Sequence, residues 1–181
     1  FVLIDTAGIR KKAKVNEDLE FYSVIRAVKA LDEADICILM LDAKMGLEKQ
    51  DLSILSMAEK KRKGVVLVVN KWDLIEKATN TMKEMEDDIR KKVAPFKDIP
   101  IIFTSVTEKQ RVFKVIETAL EVQENRKRVI NEKELNEKML KSIEQFPHPS
   151  VRGSFLEVKS VVQVPATTPT FIFWVNFPND V

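Results

Sequence analysis

Runs of branched apolar residues with little polar alternation most constrain how this chain can fold: FVLID from Phe1, ICILMLD from Ile36, VVLVVN from Val65, and the shorter IPIIFTS from Ile99. Such runs fit parallel strands covered on both faces, because a half-exposed strand would alternate apolar with polar. Between them lie amphipathic segments. Tyr22 to Ala34 sets Val24, Ile25, Val28 and Leu31 on one face, and Gln50 to Arg62 does the same with Leu52, Leu55, Met57 and Ala58. Met82 to Val93 and Val112 to Val129 carry comparable stripes. Strand alternating with helix predicts a doubly wound α/β domain.

At ENRKRVINEKE the composition shifts. Asn131 there is placed to cap a helix, with Glu134 returning the bond three residues later, and the prolines of FPHPS should stop that helix. Two strand-like runs follow, FLEVKSVVQV and TFIFWVN. The expected organisation is a first domain over 1–130 and a small α+β module over 131–181.

Composition excludes several classes of function. Thirty basic against 28 acidic residues leave a net charge of +2 over 181 residues, too little for an overall field that gathers nucleic acid or anionic lipid. Cys37 sits inside an apolar run, where a buried reduced thiol is expected, and a cytoplasmic protein fits. No apolar run approaches the length of a membrane span. The chain opens inside an apolar stretch at Phe1, as expected of a piece of something longer.

Three short polar motifs end three of the apolar runs: DTAG at Asp5, Thr6, Ala7 and Gly8; NKWD from Asn70 to Asp73; and TSV from Thr104 to Val106. The carboxyl ends of strands in an open α/β sheet are where ligands bind. Asn70 and Asp73 also suit a simple turn cap, so NKWD alone would not identify a site. The order and spacing of the three motifs together resemble the DxxG, NKxD and SA-type motifs of GTP-binding proteins.

That resemblance implies a Ras-like doubly wound sheet of the P-loop NTPase type that binds GTP and GDP. Guanine offers two adjacent donors, its ring N–H and its amino group, and one carboxylate can accept both. Asp73 would take them; adenine has no amino group there and would leave the carboxylate unpaired. Lys71 would lay its stem along the base, Asn70 would tie the loop to neighbouring backbone, Val106 would donate its N–H to the guanine oxygen, and Ser105 would brace that loop. At the phosphate end Asp5 would hold magnesium through water, and Gly8, lacking a side chain, would let its backbone approach the γ-phosphate. The segment after Gly8 would then be a switch released by hydrolysis.

Two features depart from the common pattern. Ile9 stands where many relatives carry a water-positioning glutamine, so a potassium ion or a partner is implied instead. The phosphate-cradling pattern GxxxxGK[ST] does not occur, since Gly8, Gly46, Gly64 and Gly153 begin no such match. In the family fold the strand before that loop lies between FVLID and ICILML, so two apolar edges should be left facing a gap. The chain by itself is expected to hydrolyse GTP negligibly.

The segments LIDTAGIRKKAKVNEDLEFYSVIRA, VVNKWDLIEK and KQRVFKVIE narrow the resemblance to the Der (EngA) family of bacterial tandem GTPases. It implies a partial second GTPase domain, a partial KH-like domain, and work on the large ribosomal subunit or its precursor. Only Gly153 could serve a KH-type GXXG loop, so no KH-type single-strand RNA clamp is expected. His148 reads as a turn residue, and Phe171, Phe173, Trp174 and Phe177 as a core at strand spacing. The charged runs EKKRK and EMEDDIRKK read as solvated helix surface.

Overall fold

The computed structural model describes residues 1–6, 27–76, 78–146 and 155–178. The chain divides into two compact units, Phe1–Gln123 and Glu124–Val181.

In the first unit three of the apolar runs form a parallel sheet in the order β1 (Ile36–Asp42), β2 (Gly64–Asn70), β3 (Ile101–Phe103). Ile36 lies opposite Gly64 and Asp42 opposite Asn70, while Val69 lies opposite Phe103. β2 is covered on both faces, which its near-continuous apolar run requires, while Met40 on β1 stays 54% exposed. One face packs Leu39, Leu41, Leu67, Val69 and Phe103 with Leu55 and Ile89, and the other packs Val66, Val68 and Ile102 with Val115. Val66, Leu67, Val68 and Val69 are all buried, each burial contributing about 1.5–3 kcal/mol relative to exposure. Leu55, Ile89 and Val115 come from helices α1 (Lys49–Lys60), α2 (Thr81–Lys92) and α3 (Val112–Lys127), close to the expected spans. Residues 27–33 are helical and lead into β1.

One expected strand does not form. Phe1 and Val2 are each 88% exposed, and residues 1–6 have no regular structure. Extended backbone needs a neighbour to take its hydrogen bonds, and among the described residues no strand pairs with this segment or with the outer edge of β1. IPIIFTS contributes only the three residues of β3, and a turn over 106–109 follows.

In the second unit Asn131 caps α4 (Glu132–Gln145) as expected: its Oδ1 accepts from the N–H groups of Lys133 at 3.0 Å and Glu134 at 3.4 Å. The returning bond expected of Glu134 is replaced by an ion pair with Lys138 at 2.7 Å. α4 packs on β4 (Val158–Val164), which pairs antiparallel with β5 (Thr170–Val175). Asn136 reaches from α4 to the fully buried Val161, donating to its carbonyl at 2.9 Å and accepting from its N–H at 2.8 Å. That side chain thus serves as a neighbouring strand. Phe171 and Phe177 are half-buried, but Phe173 and Trp174 are 44% and 60% exposed, so the aromatic core expected on β5 is not closed among the described residues. A two-stranded sheet has too little surface to enclose both faces.

Candidate guanine-nucleotide site

Two loops leave the carboxyl ends of β2 and β3 side by side. Lys71 follows β2 in the left-handed region, at φ 62° and ψ 34°, which reverses the chain into a single 3-10 turn over Trp72–Leu74. Left-handed backbone costs a lysine roughly 1–2 kcal/mol, so surrounding contacts must hold it. Those contacts are present. Trp72 is buried, donates its backbone N–H to the Thr104 carbonyl at 3.0 Å and sets its ring edge-on to Phe103. The Thr104 N–H in turn reaches Val69 O at 2.8 Å, carrying the ladder one step past β3.

Asn70 receives the Thr104 hydroxyl on Oδ1 at 3.3 Å, so its side chain ties to a side chain where a backbone partner was expected. Its own carbonyl accepts the Ala43 N–H at 2.9 Å. Ser105 is fully buried; its Oγ accepts from Glu108 N–H at 3.1 Å, and its backbone pairs both ways with Gln110, at 3.3 and 2.8 Å. This fastens the loop 105–110 at its base, as a bracing serine would. Val106 sits on the exposed side of the loop, its carbonyl accepting from Lys109 while its N–H enters none of the loop's hydrogen bonds.

Asp73 carries the decisive feature. Its Oδ1 is buried and has no hydrogen-bond partner among the described residues, where no other side-chain polar atom is in that position. Leaving a buried acceptor unpaired costs about 1–3 kcal/mol, more when charged, which makes this oxygen a candidate acceptor for a donor supplied from outside the chain.

The structure also adds a residue that the motif reading missed. The Lys71 ammonium is paired with Asp42 at the end of β1, 2.7 Å from Oδ2. The available signal was the same one that singled out NKWD, a polar residue closing an apolar strand.

Of the phosphate-end motif only Asp5 and Thr6 are described. Asp5 and Thr6 lie in the exposed irregular segment instead of at a strand end, and Ala7, Gly8 and Ile9 lie outside the described residues, as do His148 and Gly153. No group of three or more metal-ligating side chains occurs among the described residues. The basic and acidic runs are engaged in surface pairs: Lys61 and Lys63 with Asp32, Arg90 with Glu86 and Lys92 with Asp88. Burial pushes the Cys37 thiol up from its ordinary range. No described helix is long and apolar enough to cross a membrane.

Comparison with known proteins bears on the fold and the family. The family model described as the elongation factor Tu GTP binding domain matches residues 20–143. GTPase Der of Flavobacterium johnsoniae is 53% identical over 178 residues and that of Bacteroides thetaiotaomicron 54% over 180 residues, each match covering 98% of this chain. The chain spans 41% of the length of these relatives. Among solved structures, Era in complex with MgGDPNP and nucleotides 1506–1542 of 16S ribosomal RNA aligns over 65% of this chain and 38% of its own, with 29% identity and a TM-score of 0.55. A probable GTP-binding protein, engB, shares the fold at 16% identity and a TM-score of 0.54, over 66% of this chain and 74% of its own. The parallel sheet flanked by helices is thus a Ras-like α/β arrangement of the P-loop GTPase type. On the match across residues 20–143, this chain belongs to the elongation factor Tu GTP-binding domain family, and relatives sharing about half its residues are GTPases named Der.

Proposed function

We propose that residues 70–73 and 104–106 form the base-recognition half of a GTP-hydrolysing switch, and that its guanine selectivity resides in Asp73. The buried, unpartnered Oδ1 of Asp73 is the observation that carries this reading. The carboxylate accepts the ring N–H and the amino group of guanine, two charge-assisted bonds that adenine cannot replace. Lys71 covers the base with its stem, Val106 N–H meets the guanine oxygen, and Ser105 with Asn70 keeps the two loops in register.

At the other end of the nucleotide, Asp5 acts through water on magnesium, and Thr6, Ala7 and Gly8 approach the phosphates when the nucleotide is bound. Support for this half is the DTAG motif alone, since Asp5 is exposed. Bound magnesium would neutralise phosphate charge. Ile9 cannot orient water, which leaves that task to a potassium ion or a partner.

The reading extends to a cytoplasmic role in assembly of the large ribosomal subunit, with residues 131–181 as a partial KH-like module making protein or ribosome contacts and no single-strand clamp. Its support is the similarity to Der and, more distantly, to Era, a protein solved with ribosomal RNA. The competing reading, a noncatalytic interaction fragment with relic motifs, draws on the exposed, irregular placement of Asp5 and Thr6.

Titration of the full-length protein with GDP and with ADP, in magnesium, separates the two. Selective binding of GDP is expected; equal affinity for ADP, or no binding of either, would sink the proposal.

A further inference from the structure

We propose that Asp42 is a positioning residue for base recognition, fixing the Lys71 stem by holding its ammonium group. The inference rests on reading residues 70–73 as the base-binding turn.

Parallel register brings Asp42 opposite Asn70 at the shared end of β1 and β2. One residue further on, the left-handed turn at Lys71 sends its side chain back toward β1, where Nζ meets Asp42 Oδ2 at 2.7 Å. The two partners differ in freedom. Asp42 is the anchor: its side chain is 20% exposed, its Oδ1 accepts the Lys44 N–H at 2.9 Å, and its carbonyl accepts from Met45 and Gly46 at 3.1 and 2.9 Å. Lys71, with 56% of its side chain exposed, is the arm. The Ala43 N–H to Asn70 carbonyl bond at 2.9 Å continues the ladder past Asp42, so the distance between anchor and arm is set by the sheet.

A lysine stem has four rotatable bonds, and ordering it when a base arrives costs side-chain entropy. Held at the backbone by the turn and at the ammonium by Asp42, the stem is ordered beforehand, which favours binding without any contact between Asp42 and the nucleotide. The turn after β1 does not account for the carboxylate, since an asparagine oxygen would accept the Lys44 N–H equally well. The Lys71 ammonium, 2.7 Å from Oδ2, is a partner for which the negative charge matters.

This separates charge from shape. In the full-length protein, titrated with a fluorescent GDP analogue, Asp42→Asn should weaken binding about fivefold while guanine remains preferred over xanthine. Asp42→Glu should recover most of the loss. In a Lys71→Gln background, Asp42→Asn should add less than about a twofold change, because its partner is already gone. Lys71→Met, an exposed change that keeps a stem and removes the charge, should reproduce the Asp42→Asn loss even if the latter folds poorly. Wild-type affinity in both Asp42→Asn and Lys71→Met, or losses that simply multiply in the double variant, would overturn the proposal. Failure of the base-site reading shows elsewhere: guanine preference would survive Asp73→Asn unchanged.

Discussion

Trp72 meets Phe103 edge to face, with ring centroids 4.6 Å apart and planes inclined at 62°. The contact joins the turn after β2 to the last residue of β3, so the loop carrying Asp73 is anchored on the hydrophobic core.

Removing that anchor should cost both stability and recognition. Trp72→Ala is expected to destabilise the first unit by about 3–5 kcal/mol, as large aromatic truncations in cores do. Trp72→Phe keeps a ring and should lose much less. Urea unfolding followed by circular dichroism reads the difference; near-identical midpoints for Trp72→Ala and wild type would show that the ring pair contributes little.

Base selectivity offers a sharper test of Asp73. Xanthine carries a carbonyl where guanine carries its amino group, so an acceptor at the turn must become a donor. Asp73→Asn in the full-length protein should shift preference from guanine to xanthine nucleotides, and mismatched hydrogen bonding of this type is worth roughly 1–3 kcal/mol per buried group. Competition titration with GDP and XDP measures the shift.

In the second unit the vulnerable residue is Asn136. Asn136→Leu would leave the N–H and C=O of buried Val161 without their side-chain partner, at a cost of about 2 kcal/mol or more. Hydrogen exchange should show the Val161 amide losing protection ahead of its neighbours. Unchanged protection would mean that another group takes over both bonds.

Cys37 gives a prediction in pH. Burial raises its folded pKa above the unfolded value, so the folded state holds the proton more tightly. The associated stability is fully present below the ordinary thiol range and is lost as pH rises from that range through the raised folded value. Iodoacetamide at pH 8 should modify the folded chain more slowly than the urea-unfolded chain, and Cys37→Ala should flatten the alkaline fall in stability. Equal alkylation rates would contradict the burial.

Much of the architecture was legible in local pattern. ICILMLD and VVLVVN announced buried parallel strands, the 3.6-residue stripes announced α1 to α3, and Asn131 announced the start of α4, because each signal lies within a few neighbouring residues. The motif NKWD likewise singles out Asp73, whose Oδ1 is buried. FVLID carried the same apolar signature yet is no strand, since a strand exists only where another supplies its hydrogen bonds. Trp174 read as core and lies exposed, because burial depends on which element covers a face. The pairings that shape the site, Lys71 with Asp42 and Asn70 with Thr104, join residues 29 and 34 positions apart. Nothing in either residue's immediate sequence specifies its partner; strand order and register bring them within reach, and those follow from packing of the whole sheet.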